Sequence, residues 1–413
     1  MKHNIFYYSD CQFFAGCENM IGNFLNDQFI QNNFCIGFVY SFSEKYERGL
    51  NSRVPGTNYQ KYPLRLMKQV SYVKPLNPKI LWSITHKLIS GIYILFYKYL
   101  SILVNTFIIF SFFRKHKVEI LHINNGGFPA ANSCYSAVIA AKMTGIRVII
   151  YVVNNMAEDY LKPLRWFDYP IDFFIKKWVT LFITGSEYAG ERLKKVLGLD
   201  EGKHITINNG IRRREITLSK QEFKKKYLIP ENKIIISTVA NLELRKGHIF
   251  LLEAIFYIKE NYPKNNIPLF IIEGDGPEKG TLIKYIAEND LKEYIWMIDY
   301  IPDIFNLLNA SDFVILPSIG NEDFPNVIIE AMSLGKPVIG TEIAGIPEQI
   351  DHNKSGIVVK PKSSMELVHA IMNLTLNPAL VQEFSTEAIN RYESLFEVSI
   401  SIKKYYDLYR TLL

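Results

Sequence analysis

The stretch Pro317-Ser-Ile-Gly-Asn-Glu-Asp-Phe-Pro-Asn-Val-Ile-Ile-Glu-Ala-Met-Ser-Leu-Gly-Lys-Pro-Val-Ile-Gly340 holds the residues best suited to chemistry. Glu322 and Glu330 lie eight positions apart. One continuous helix would splay them by ~80° at ~100° per residue. Pro325 changes this, because proline is favoured at the first helical position. Glu322 then belongs to a loop and Glu330 to the second helical turn, so both can face one pocket. The amides of Asn326, Val327 and Ile328 become donors at a positive helix terminus, which suits a phosphate. Two carboxylates beside it suit sugar hydroxyls, which are donors awaiting acceptors. The plainer alternative is that Glu322 helps cap the helix and Glu330 is a solvated face residue.

The elements around this stretch alternate. Strands are expected at 5–9, 35–40, 119–123, 148–153, 181–184 and 205–207 in the first half. In the second half they are expected at 234–239, 269–273, 295–298, 313–316, 338–340 and 356–358. Helical patterns separate them, at 20–29, 133–143, 189–196, 249–260, 279–288, 304–308 and 327–334. Nearly continuous apolar strands between helices imply parallel sheets covered on both faces. The polar stretch from Ile211-Arg-Arg-Arg-Glu to Ile229-Pro-Glu231 reads as a boundary. The expectation is two doubly wound α/β domains, 1–212 and 213–388, with a helical segment 389–413 packing back toward the first. Ligands in such sheets sit beyond the carboxyl ends of the strands, so the default site is an interdomain cleft.

Several segments, in order, resemble a known family. Glu322–Glu330, with Phe324-Pro325-Asn326 inside, is similar to the E-x7-E signature of GT-B-fold retaining glycosyltransferases, in particular glycosyltransferase family 4. Val239-Ala-Asn-Leu-Glu-Leu-Arg-Lys246-Gly247-His248 resembles its nucleotide-sugar element, and Glu273-Gly-Asp-Gly-Pro277 its G-x-G-P turn. The run from Asp303 to Ser318 and the loop Gly340 to Glu348 resemble the flanks of the signature.

The resemblance implies a GT-B architecture of two Rossmann-like domains facing across a cleft. It implies that Lys246 neutralises the donor diphosphate, a task for a compact point charge. Glu330 would hold ribose hydroxyls, and Glu322 the hydroxyls of the transferred sugar. Phe324, Pro325, Asn326 and Val327 would line the sugar and phosphate. The family usually carries an Arg where Asn241 stands, so Arg245 is a candidate substitute. Gly274 and Gly16 would let backbone approach the donor. Phe13-Phe-Ala-Gly16-Cys-Glu18 is similar to the family's N-terminal glycine loop, with Ala15 in place of the first glycine. Glu18, Asn125, Gly126 and Asn155 would face the acceptor. For Asn125-Gly126 a simple turn is an equal alternative. No His stands at Asn154-Asn155, where relatives often carry one. Ser186-Glu187 and Asn209-Gly210 resemble elements near the hinge, and helix start and turn are open alternatives.

The turn Gly274-Asp-Gly276-Pro277 also imitates a dinucleotide fingerprint. Its glycine pattern is not G-x-G-x-x-G, and a plain strand–helix turn fits it better.

The chain has 413 residues, 48% hydrophobic and 21% charged, with a net charge of +6. This is globular composition, and the modest basic excess falls short of a nucleic-acid binder. Cys11, Cys17, Cys35 and Cys134 form no metal pattern, and a disulfide framework is not expected at this size. No metal site and no cofactor are expected. No signal peptide is evident at the N-terminus. Leu88 to Phe113 is apolar apart from Lys98, Asn105 and scattered Ser and Thr. It reads either as core helix or as an interfacial helix flanked by Lys79, Lys87, Arg114, Lys115 and Lys117.

The resemblance thus implies a transferase moving a sugar, with retention, from a UDP- or GDP-linked donor to a hydroxyl. A lipid-linked glycan of bacterial surface polysaccharide is the expected acceptor. The expected place is the cytoplasm at the inner membrane face, with peripheral membrane contact through 79–117. A nucleotide-sugar epimerase of the same fold, or an inactive glycan- or lipid-binding subunit, are the alternatives.

Overall fold

The computed structural model describes residues 2–11, 14, 16–56, 58–68, 84–161, 163–299, 301 and 304–413. The chain divides into two compact units. The first comprises residues 1–207 with 402–413, the second residues 208–401.

The first unit holds β1 (His3–Ser9), β2 (Phe34–Ser41), β3 (Gln60–Leu64), β4 (Ile120–Asn125), β5 (Val148–Val153), β6 (Leu181–Thr184) and β7 (His204–Thr206). They form one parallel sheet in the order β3-β2-β1-β4-β5-β6-β7. Every residue of β4 and β5 is buried, as helix-covered parallel strands require. The edge strand β3 was not expected from sequence. Its QKYPL is polar, half-exposed and contains Pro63, which only an edge tolerates.

The helix expected at 20–29 is two helices, Asn19–Asn26 and Gln28–Asn33. Asp27 between them is extended, and its carboxylate accepts from the Ile30 amide at 2.9 Å, starting the second helix. The long helix Ile84–Phe113 packs on Asn132–Thr144, where the Ser136 hydroxyl donates to the Ile102 carbonyl at 2.9 Å. Cys11, Cys35 and Cys134 are free thiols.

The second unit holds β8 (Ile235–Val239), β9 (Leu269–Glu273), β10 (Ile295–Ile298), β11 (Phe313–Leu316), β12 (Val338–Thr341) and β13 (Gly356–Val359). Its parallel sheet runs β10-β9-β8-β11-β12-β13. Strand order reverses between β8 and β11, which pair through Phe313↔Ile236 and Val314↔Ser237. The loops after these two strands therefore leave the sheet side by side, diverging to opposite faces. That divergence is the ligand-binding crevice of open α/β sheets.

Candidate active site

Pairing of β8 with β11 brings Lys246 and Glu322 together. From β8 the chain runs through Asn241 into a single 3-10 turn, Leu244–Lys246, and then into the helix His248–Asn261. From β11 it runs through Ser318 to Pro325 and the helix Asn326–Ser333. The two loops are stitched by the Ile319 amide, which donates to the Arg245 carbonyl at 2.7 Å. Gly247 makes this approach feasible. Its φ is 68°, and a Cβ there would collide with the Pro317 carbonyl.

The Lys246 ammonium lies 2.5 Å from Glu322 Oε1. The Ser318 hydroxyl donates to the same oxygen at 2.7 Å, and Arg245 Nη1 stands 3.6 Å away. Both Lys246 and Glu322 are largely buried. Glu322 Oε2 takes none of these three contacts, which leaves a carboxylate oxygen available to a hydroxyl donor. Arg245 is further oriented by Glu243, 2.6 Å from its Nε, and by the Asn321 carbonyl at 3.1 Å. Asn241 reaches only Glu243, at 3.5 Å. The cation nearest the carboxylate besides Lys246 is thus Arg245, from a different turn position than Asn241.

The helix after the loop starts at Asn326, with Pro325 as its N-cap rather than its first residue. Pro325 has an extended ψ of 120°, and the Ile328 amide donates back to its carbonyl at 3.2 Å. Ile328 is therefore not one of the open donors expected from sequence. Asn209 holds this corner by donating to the Phe324 carbonyl at 3.3 Å and to Asn326 Oδ1 at 3.1 Å. Phe324 is buried edge-on against Phe396. Gln349 donates to the Pro325 carbonyl at 3.1 Å, and the Gly345 amide to the Asp323 carbonyl at 3.0 Å. Glu330 is buried in the second turn of this helix.

Gly274 has a backbone task. Its φ is 146°, and a Cβ would strike the Ala240 carbonyl, so it lets the loop after β9 lie against the loop bearing Asn241. His248, beside Lys246, is buried with both ring nitrogens lacking a hydrogen-bond partner among the described residues. Burial, reinforced by the Lys246 charge, pushes its imidazole down to about 4, so it is neutral at ordinary pH.

The first unit treats its expected site residues differently. Glu18 is wholly buried and accepts from the Ser9 hydroxyl at 2.7 Å and the Tyr46 hydroxyl at 2.9 Å. Burial pushes its carboxyl up. In this conformation it braces the end of β1 and is closed to an acceptor. Asn125 is also buried. Its Nδ2 donates to the Tyr151 hydroxyl at 2.6 Å, while its Oδ1 accepts from the Gly126 and Ala131 amides at 3.0 and 3.2 Å. Asn155 accepts from the Met156 amide at 2.7 Å. Gly16 and Gly126 have open space where a Cβ would go. Phe13 and Ala15 of the N-terminal loop, and Asp303 before the signature, lie outside the described residues.

Sequence reasoning missed Ser318 and Glu243, whose partners lie within their own loops, Glu322 four positions on for Ser318 and Arg245 and Asn241 two positions away for Glu243. Their one signal was position, in the loops that follow β11 and β8. Among the described residues no cluster of three His, Cys, Asp or Glu side chains could hold a metal.

Residues 219–391 match the family model described as glycosyl transferases group 1. The Escherichia coli UDP-Gal:alpha-D-GlcNAc-diphosphoundecaprenol alpha-1,3-galactosyltransferase is 26% identical over 313 residues, covering 73% of this chain and 77% of that enzyme. The putative teichuronic acid biosynthesis glycosyltransferase TuaC of Bacillus subtilis is 27% identical over 196 residues, 47% of this chain and 46% of its own length. Among solved structures, a glycosyltransferase from Rickettsia africae superposes with a TM-score of 0.74 at 19% identity, covering 100% of this chain and 98% of that one. Anabaena Alr3699/HepE in complex with UDP gives 0.73 at 16% identity, covering 99% and 100%. At such identities these structures speak to the fold.

Proposed function

We propose, from the premise that this chain is a GT-B-fold glycosyltransferase of group 1, that it transfers a sugar with retention from a nucleoside-diphosphate donor to a lipid-linked glycan. The carrying observation is the convergence of Lys246, Arg245 and Ser318 on one oxygen of Glu322 beside a helix N-terminus, at the strand-order reversal of the second sheet. Lys246 and the amides of Asn326 and Val327 offer positive charge to a departing diphosphate. Glu322, through its remaining oxygen, accepts hydroxyls of the transferred sugar, and Glu330 those of the ribose. Catalysis is then positioning and charge stabilisation, with the leaving phosphate assisting attack from its own face.

The donor nucleotide is uridine or guanosine diphosphate. Uridine is favoured by the UDP-Gal substrate named for the E. coli relative and by the UDP and UDP-glucose complexes of the Anabaena neighbour. The relative's diphosphoundecaprenol acceptor supports a lipid-linked acceptor and a station at the cytoplasmic membrane face. Of the segment 79–117, residues 84–117 offer the peripheral contact, and 79–83 lie outside the described residues. No metal or cofactor takes part in this reading.

Release of nucleoside diphosphate without acceptor tests it. The wild type releases it slowly from a UDP-sugar, and Glu330→Ala stops release. Equal release by the variant overturns the site. Anomeric analysis of the product by NMR tests retention.

A further inference from the structure

We propose that the first unit seats itself on an anionic bilayer surface through one aromatic face shared by the helix Ile84–Phe113 and the residues 161 and 164–178. The inference rests on the reading above in one respect: a lipid-linked acceptor gives the chain a reason to lie there.

The helix is long and apolar enough over Ser90–Phe113 to cross a bilayer. Its contacts say otherwise. Ile102, Ile109 and Phe113 are buried in the core under the first sheet, and the Ser136 hydroxyl is bonded to the Ile102 carbonyl. Asn105 is buried and exchanges two hydrogen bonds with the Met67 backbone, at 2.8 and 3.0 Å. A helix with one side fixed to a protein core cannot be ringed by lipid, so it lies on the membrane rather than spanning it.

The opposite side of the helix is exposed and apolar. Ile92, Phe96, Tyr99, Leu103 and Phe107 recur at four, three, four and four residues, which is one helical stripe. Beside it, Leu161, Leu164, Trp166 and Phe167 are exposed, Trp166 to 70%. The helix Tyr169–Trp178 continues the surface with Tyr169, Phe173 and Phe174. The two elements adjoin: Lys98 pairs with Asp168 at 2.5 Å, the Tyr99 hydroxyl donates to the Phe167 carbonyl, and Gly91 faces Leu164.

These exposed aromatics are held in place by buried charge. Arg165, between Leu164 and Trp166, pairs with Asp168 at 3.0 Å and Asp172 at 2.5 Å, all three buried. Asp172 also accepts from the hydroxyls of Tyr135 and Tyr160, at 2.7 and 2.6 Å. A segment locked from beneath this way presents Trp166 and Phe167 outward in a fixed conformation, so their exposure is not a fraying loop.

Chemistry selects the occupant. Trp, Tyr and Phe with flanking Lys and Arg are the residues of a membrane–water interface. The two elements carry acids only at Asp168 and Asp172, both buried, whereas Lys177 on the second element and Arg114, Lys115 and Lys117 just past the end of the first are exposed. That charge pattern fits anionic headgroups, whereas a second copy of the same basic face would repel itself.

Flotation of the full chain with vesicles tests the proposal. The wild type partitions onto phosphatidylcholine mixed with phosphatidylglycerol, more weakly onto phosphatidylcholine alone, and the difference shrinks in salt. Trp166→Ser with Phe167→Ser lowers the partition by about tenfold or more. Phe96→Ser with Phe107→Ser does the same. Leu228→Asn, at an equally exposed leucine of the second unit, leaves it unchanged. All variants keep turnover of a water-soluble short-chain acceptor. Failure of the wild type to float, or partition indifferent to these substitutions, overturns the proposal. So does a dimer, by light scattering, that the Trp166 and Phe167 changes dissolve. Failure of the transferase reading shows instead as absent turnover of every acceptor, whatever the partition.

Discussion

The Lys246 ammonium and Glu322 Oε1 sit 2.5 Å apart although 76 positions separate them, because β8 and β11 are neighbours in the sheet. The pair is largely buried, and each partner makes the other's charge tolerable. Lys246→Ala removes the cation proposed to face the donor phosphates and should lower kcat/KM by ~10²–10³. Glu322→Gln keeps the Ser318 hydroxyl bond but leaves the largely buried Lys246 ammonium without its counter-charge, so it should lower Tm as well as kcat. Steady-state kinetics with thermal melts separates the two roles. Equal losses of Tm in both variants with activity intact would make the pair structural.

Gly247 sets the spacing of those two loops. Gly247→Ala must hold a left-handed φ and place a methyl group on the Pro317 carbonyl. It should lose more than ~1 kcal/mol of stability, with a fall in kcat/KM larger than that loss explains. Gly280→Ala is the contrast. A Cβ there meets open space near the start of the helix Lys279–Glu288, so stability should rise by ~0.5–1 kcal/mol. Urea unfolding of both variants checks the pair.

Most strands were legible because helix-covered parallel strands are continuous apolar runs, and β4, β5, β9 and β11 read as such. β3 was not, because an edge strand needs apolar residues on neither face and accommodates Pro63. The break at Asp27 was hidden inside a pattern whose apolar spacing continues across it. At the site, Glu322 and Glu330 stood out by residue type and spacing, and Lys246 by the resemblance of its segment. Ser318 and Glu243 did not, since their role depends on how each loop folds back on itself. Burial was the other blind spot. Glu18, in the loop region after β1, and Asn125, the last residue of β4, are polar residues toward carboxyl strand ends, a position that reads as ligand-facing, yet their side chains close hydrogen bonds within the unit.

His122 makes stability depend on pH. Its Nδ1 lies 2.7 Å from the Tyr409 hydroxyl, tying the C-terminal helix to β4. Complete burial pushes the imidazole down to about 3, from 6.5. The unfolded chain therefore binds a proton that the fold refuses. Stability from this residue is full above 6.5 and is lost as pH falls toward 3, at ~1.4 kcal/mol per pH unit. His122→Phe removes that slope along with the bond to Tyr409. The difference in unfolding free energy between wild type and variant should shrink steadily from pH 7 to pH 5. Parallel curves would mean that the imidazole is reached by water.

Arg165 is a point of failure in the first unit, because two buried aspartates pair with it. Its guanidinium pairs with Asp168 and Asp172 and lies 4.6 Å from the centre of the Tyr160 ring. Lys98 also serves Asp168, whereas Asp172 has Arg165 as its cation. Burial already pushes the Asp172 carboxyl up, against the pull of the guanidinium. Arg165→Ala leaves that carboxylate without a counter-charge, and removing one partner of a buried pair costs about 3–5 kcal/mol. For a unit of this size the melting temperature should fall by about 6–20 °C. Arg165→Ala combined with Asp172→Asn removes the stranded charge as well, so it should recover part of that loss. A double variant no more stable than Arg165→Ala alone would show that the guanidinium acts by filling space over Tyr160 and Phe128 rather than by its charge.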